Sequence, residues 1–174
     1  MKYISGNSNE GGGEPRPLHK CIMRQPIQVA VYCVRFVENG REYLLLHRIP
    51  SGGGFWQPIT GGVENDEEYF VTAHRELKEE TGFGPTELHL IDYSYTFPVE
   101  PSMRKLYDHP VDLITEIVFL AVIEPGIDPV ITPVEHDDYK WCRLDEARDL
   151  LFWAGNKESI RHCDKFIKNR GERI

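Results

Sequence analysis

Residues Gly61 to Phe83 read GGVENDEEYFVTAHRELKEETGF, and the arrangement of the whole chain follows from this stretch. Its central part, Glu67 to Glu80, predicts a helix, stopped by Thr81-Gly82, where Gly82 suits a C-cap. At about 100° per residue, Phe70, Ala73, His74 and Leu77 fall on one side as an apolar stripe able to dock on a sheet. On that stripe His74 reads as a packed histidine rather than a base. Glu76, Glu79 and Glu80 fall on another side at spacing i, i+3, i+4, so their carboxylates are neighbours. They repel one another, and the negative end of the helix macrodipole adds to the cost. A cluster that opposes both effects calls for a cation, and a hard divalent ion such as Mg2+ suits carboxylate oxygens. An acidic run alone is most often a solvated face. Here the flanking residues speak against that reading.

Upstream, Ile27 to Val37 (IQVAVYCVRFV) is a β-branched and aromatic run that predicts a strand. Glu38-Asn39-Gly40 turns the chain, and Tyr43 to His47 returns it as a hairpin. Ser51 to Gly54 is a loop, and Phe55 to Thr60 is a short run broken by Pro58. Downstream, Leu88 to Thr96 and Val111 to Ile123 predict strands, the second almost continuously apolar and therefore central. The connection between them, PVEPSMRKLYDHP (98–110), is polar and proline-bounded. Tyr139 to Arg143 predicts a further strand, and helices are expected over Leu144–Phe152 and Lys157–Lys168. Strands lead, one helix interrupts them and helices close. That order predicts an α/β (α+β) fold, an α-β-α sandwich with a mixed central sheet. Residues 1–16, rich in Gly, Ser, Asn and Glu, are expected to form a flexible leader, ordered at most around Tyr3 and Ile4. Residues 17–174 form the single domain that this length allows.

With 28 acidic against 20 basic residues, the net charge of −8 argues against stable nucleic-acid binding or attraction to an anionic membrane. A small phosphorylated substrate stays compatible if a metal and a few local cations supply positive potential. The four cysteines form no C-x-x-C pair, which excludes a zinc ribbon or a thioredoxin-type motif, and Cys33 and Cys142 read as buried thiols. With no signal-like or membrane-spanning apolar run, a cytoplasmic setting is expected. A P-loop, an H-E-x-x-H zinc site and a G-x-S-x-G elbow are all missing from the sequence.

The segment quoted above resembles the signature box of the Nudix hydrolases. Gly61, Glu67, Arg75, Glu76, Leu77, Glu79, Glu80, Gly82 and Phe83 match its pattern without a gap. Seven fixed residue types at about one in fifteen each give a chance match on the order of 10⁻⁸ per start. The resemblance implies that Glu76, Glu79 and Glu80 bind Mg2+ (or Mn2+), with one helping to activate water. It also implies that Arg75 orients these glutamates by ion pairing. Gly61 and Gly82 would serve the backbone of a loop-helix-loop, and Glu67 would hold the preceding loop. Such members hydrolyse acid anhydrides, and many are homodimers.

Val134 to Trp141 resembles the family's E-H-x-x-Y-x-W segment, which makes Glu135 the candidate for an additional metal ligand. Glu116 is the alternative, set back by its apolar strand, and His136 could touch phosphate. Phe55-Trp56-Gln57-Pro58-Ile59-Thr60-Gly61-Gly62 together with that segment resembles the branch that includes dihydroneopterin triphosphate pyrophosphatases, also called dATP pyrophosphohydrolases. By that match Arg24, Arg48 and Thr60 would contact substrate. The 98–110 loop departs from the branch, which leaves the substrate open. Phe55, Trp56, Tyr95 and Trp153 could stack on a purine or pterin ring, although each also suits ordinary packing. The function expected is cleavage of a nucleoside or pterin triphosphate with release of pyrophosphate. The alternatives are hydrolysis of a bridged diphosphate (diadenosine polyphosphate, ADP-ribose or a nucleotide sugar) and a non-catalytic nucleotide-binding domain.

Overall fold

The computed structural model describes residues 24–107 and 109–171, so the expected leader lies outside the described residues. Among the described residues seven strands build one sheet: β1 (Arg24–Val37), β2 (Gly40–Arg48), β3 (Trp56–Gln57), β4 (Ile59–Glu64), β5 (Glu87–Pro98), β6 (Leu113–Val122) and β7 (His136–Cys142). The order is β3-β2-β1-β6-β5, with β4 also paired to β1 and β7 to β2. The β1–β6 pairing is parallel and the others are antiparallel, so the sheet is mixed as expected. Among the described residues three α-helices accompany it: α1 (Tyr69–Thr81), α2 (Leu144–Leu150) and α3 (Ala154–Asn169).

The alternation of side chains across β1 divides the core. Val29, Val31 and Cys33 join Leu44, Leu46, Ile59 and Phe119 beneath Ala73 and Leu77 of α1. Ala30, Tyr32 and Val34 join Tyr43, Leu45, Val118 and Leu120 beneath Ala147, Ile160, Cys163 and Ile167 of α2 and α3. With helices on both faces, Val29 to Val34 are buried in an unbroken row. Asp164 ties α3 to β2 by accepting bonds from Arg41 Nη2 (2.6 Å) and the Tyr43 hydroxyl (2.8 Å). Burial pushes its carboxyl up, but Lys168, Arg41 and Tyr43 together hold it below the usual range.

Helix α1 starts two residues later than the periodicity predicts, with Glu68 as its N-cap. Glu67 is drawn out of the helix because its side chain is engaged by Thr72 and Arg75. At the other end Gly82 adopts φ 73° and its N–H donates to the Lys78 carbonyl, as its C-cap reading requires. Substituting Gly82→Ala forces a Cβ into the left-handed region and is expected to cost about 1 kcal/mol, measured by urea denaturation. Two expectations on the apolar stripe need correction. His74 is exposed rather than packed. Phe70 is 43% exposed and touches the core only edge-on, its ring centroid 5.0 Å from that of Phe119. Thr72 and Glu80 are buried instead, because α1 lies on the sheet rotated toward them.

Candidate active site

Strand β4 delivers Gly61 and Gly62 against α1. A Cβ on Gly61 would lie 1.8 Å from Glu76 Cδ, so only a glycine lets that carboxylate lie on the strand. Arg75 then knits loop, strand and helix together. Its Nε and Nη2 donate to the two oxygens of Glu67 at 3.0 and 2.9 Å. Nη2 also reaches the Gly62 carbonyl at 3.1 Å. Nη1 donates to Glu76 Oε1 at 2.6 Å and lies 3.5 Å from Glu79 Oε2. The Glu67 carboxyl is held below the usual range chiefly by these Arg75 bonds, so its stabilising contribution is present at neutral pH and is lost as pH falls through the lowered value. Its backbone N–H closes the loop onto the Glu64 carbonyl (2.9 Å).

The three helix glutamates share a side but not an environment. Their side chains are 13% (Glu76), 61% (Glu79) and 5% (Glu80) exposed. Burial raises the Glu76 carboxyl, opposed by Arg75, and the Glu79 charge raises it further. Burial likewise pushes Glu80 well up, and the nearby charges of Glu76 and Glu135 add to this. The Thr60 backbone, bonded to Glu80, and the Arg48 charge act in the opposite sense.

Residues from distant strands meet this helix end. The Thr132 hydroxyl donates to the Glu79 carbonyl (2.7 Å), which brings the turn carrying Glu135 against α1. The Glu135 carbonyl accepts the Ile49 N–H (3.0 Å), joining that turn to the end of β2 beside Arg48. Arg24 passes over Gly62, its Cδ 3.2 Å from where a Cβ would be, and its charge favours ionisation of Glu76. The Thr60 hydroxyl accepts Gln57 Nε2 at 3.3 Å. Arg24, Arg48 and Glu135 therefore lie near enough to the Glu76–Glu80 carboxylates to shift their ionisation, and the Thr60 backbone bonds Glu80, although the four come from separate segments.

His136 does not meet the expectation that it touches phosphate, because it is 0% exposed. Burial drives its pKa down to about 4, so the imidazole is neutral beneath Glu80, with its Nε2 3.7 Å from Glu80 Oε2. The alternative ligand Glu116 lies on the opposite face of the sheet from α1, where it accepts bonds from Gln28 and Tyr95. Trp153 and Phe152 do reach solvent, at 50% and 60% exposed, and cluster with Phe55. Tyr107 of the 98–110 loop lies near enough to Arg24 to feel its charge. Nothing in the local sequence marks the Tyr107 or Gln28–Glu116 contacts, since both join residues far apart in the chain. An open polar groove of about 490 Å3 runs along α2 and α3, lined by Leu144, Arg148, Arg161 and Lys168 among others, and includes none of the expected site residues.

Among the described residues, no three His, Cys, Asp or Glu side chains converge at metal-ligand distance. The donor set nonetheless suits a hard divalent cation. Glu80 Oε2 is buried without a hydrogen-bond partner, and Glu76 and Glu135 raise its carboxyl by proximity.

A NUDIX domain model matches residues 26–163. The chain belongs to the Nudix family. It is 30% identical over 144 residues to the dihydroneopterin triphosphate diphosphatase of Haemophilus influenzae, covering 80% of this chain and 89% of that protein. The structure of the Escherichia coli dihydroneopterin triphosphate pyrophosphohydrolase superposes with a TM-score of 0.65 at 28% identity, over 85% of this chain and 99% of that one. A Myxococcus xanthus octanoyltransferase is 34% identical over 120 residues, but the Nudix chain, matched over 69% of its own length, spans only 31% of that protein. The sandwich with its loop-helix-loop is thus the Nudix fold. No helix among the described residues is long and apolar enough to cross a membrane.

Proposed function

We propose that this Nudix chain is a pyrophosphohydrolase that cleaves a nucleoside or pterin triphosphate and releases pyrophosphate. The observation that carries this reading is that the Arg24 charge favours ionisation of Glu76 and the Arg48 charge that of Glu80, whose carboxyl also feels Glu135. Two fixed cations beside a carboxylate cluster suit a chain of phosphates together with a metal ion. In this reading Glu76, Glu79, Glu80 and Glu135 hold Mg2+ (or Mn2+). When bound, that ion neutralises phosphate oxygens and makes the attacking water more acidic. Arg24 and Arg48 orient the phosphates, and the Thr60 hydroxyl contacts substrate. Arg75 keeps Glu76 in place against Gly61. Glu79, the most exposed of the three and only loosely engaged by Arg75, accepts the proton of the attacking water. The relationship to the dihydroneopterin triphosphate diphosphatases supports a triphosphate substrate.

The test is a panel of nucleoside and pterin triphosphates and bridged diphosphates, with Mg2+ and with product identification. Pyrophosphate release from a triphosphate is expected. Two phosphorylated fragments from a bridged diphosphate would replace this reading, and turnover of neither would leave a nucleotide-binding Nudix domain.

A pH dependence follows from the raised carboxyls of Glu76 and Glu80. Their protonated forms compete with metal, so the acid limb of kcat/KM is expected above the ordinary carboxylate range at low Mg2+. Raising Mg2+ should move that limb to lower pH, and profiles at two Mg2+ concentrations check the direction.

A further inference from the structure

On the face of the sheet opposite α1, Gln28 sits on β1 directly between Gly62 of β4 and Glu116 of β6. Gln28 Nε2 donates to Glu116 Oε2 at 2.6 Å. The other Glu116 oxygen accepts the Tyr95 hydroxyl at 2.8 Å, and that hydroxyl lies 2.9 Å from Asn156 Oδ1. Glu116 and Asn156 are 2% and 4% exposed, and among the described residues the carboxylate has no Lys or Arg bonded to it.

The proton count sets the polarity of this chain of bonds. Tyr95 has one proton, and an ionised Glu116 can only accept, so the Tyr95 proton goes to Glu116. Its link to Asn156 is then completed by the Asn156 amide turned to donate, an assignment left free where amide O and N are interchangeable. Gln28 likewise turns its NH2 to Glu116, which leaves its carbonyl oxygen as a further acceptor. The cluster therefore offers acceptors, and a ligand bound there must bring donors.

Holding the carboxylate here costs stability. Burial raises the Glu116 carboxyl. The penalty is absent below the ordinary carboxylate pKa and grows as pH rises toward the folded value. Ile114 and Val118, its neighbours on the same face of β6, need no such compensation. A buried carboxylate that packing does not require is the kind of feature that function explains.

Its position suits one function. Gly62 and Glu116 are two strand spacings apart, about 10 Å, with Gln28 between them, so the cluster lies beside the box glycines. Asn156 is three residues beyond Trp153, which with Phe55 and Phe152 offers exposed aromatic surface for a flat ring. The Tyr95 ring packs so closely on Gly155 that a Cβ there would lie 2.3 Å away, which fixes the hydroxyl.

We propose that Gln28, Glu116 and Tyr95 form the edge-reading part of the substrate site and select a heterocycle presenting adjacent ring N–H and exocyclic amino donors. The 2-amino-oxo edge common to guanine and pterin has that pattern. Adenine sets an acceptor beside its amine, and hypoxanthine lacks the amine. This inference rests on the pyrophosphohydrolase reading for its kinetic test but not for its binding test.

Compare kcat/KM for GTP, ITP and ATP in the parent enzyme and in Glu116→Gln, whose amide replaces one acceptor with a donor. The parent is expected to favour GTP over both others by at least tenfold. In Glu116→Gln the GTP:ATP ratio should fall by at least tenfold, chiefly through KM, while Tm holds or rises. Should Glu116→Gln fail to fold, Tyr95→Phe is expected to lower the same ratio. Equal use of the three substrates by the parent, or an unchanged ratio in a folded variant, overturns the proposal. Were the parent to hydrolyse no triphosphate, the pyrophosphohydrolase reading would fall by itself. Calorimetry with GMP and AMP in the absence of metal then decides: preference for GMP that disappears in Glu116→Gln supports the edge reading, and equal binding overturns it.

Discussion

Glu79→Gln is expected to lower kcat by about 10²- to 10⁴-fold, the range for loss of a general base, with the fold intact. Glu79 is the most exposed of the helix glutamates, and among the described residues its side chain is bonded only by Arg75, at 3.5 Å. Its removal should therefore change stability by no more than about 0.5 kcal/mol, as for other surface positions. Steady-state kinetics at saturating Mg2+ and a thermal melt of the same preparation separate the two effects. Full activity in a folded variant would refute both the proton-accepting role and the ligand role assigned to this residue.

Gly61→Ala is expected to be nearly as damaging by a different route. Its φ lies outside the left-handed region, so the backbone tolerates alanine, and the obstacle is steric. The new methyl would occupy the place of Glu76 Cδ, 1.8 Å away, and the carboxylate must swing off the strand. Glu76 is the flexible partner, so the fold should survive at a cost of about 1–3 kcal/mol, as for other overpacked sites. Activity should fall at least a hundredfold, because the displaced carboxylate can no longer serve as a ligand. The double variant Gly61→Ala, Glu76→Ala should recover most of the lost stability and none of the activity, a non-additivity expected of side chains in contact. Additive losses in Tm would show that the two residues do not meet.

The glutamates of α1 were legible in the sequence because helix periodicity is local: i, i+3 and i+4 are neighbours whatever the rest of the chain does. The same holds for Gly82, whose left-handed cap follows from the end of the periodic run. The strands were legible through β-branched runs, and burial on both faces explains the unbroken apolar stretch of β1. Helix orientation was not local. Whether His74 or Glu80 is buried depends on a modest rotation of α1 about its axis, set by packing on Val63, Phe119 and Ile59. His136 was misread for a similar reason, since strand alternation alone does not say which face a neighbouring helix covers.

The sequence by itself therefore determined the family, the α-β-α architecture and the carboxylate helix, because all three rest on short-range pattern. Only the tertiary structure decided that Gly61 is a steric necessity, that Arg24 comes near Glu76 and Arg48 near Glu80, and that Gln28, Glu116, Tyr95 and Asn156 form one cluster. Those contacts join residues 15 to 88 positions apart in the sequence, and strand register and sheet order, rather than any local preference, bring them together.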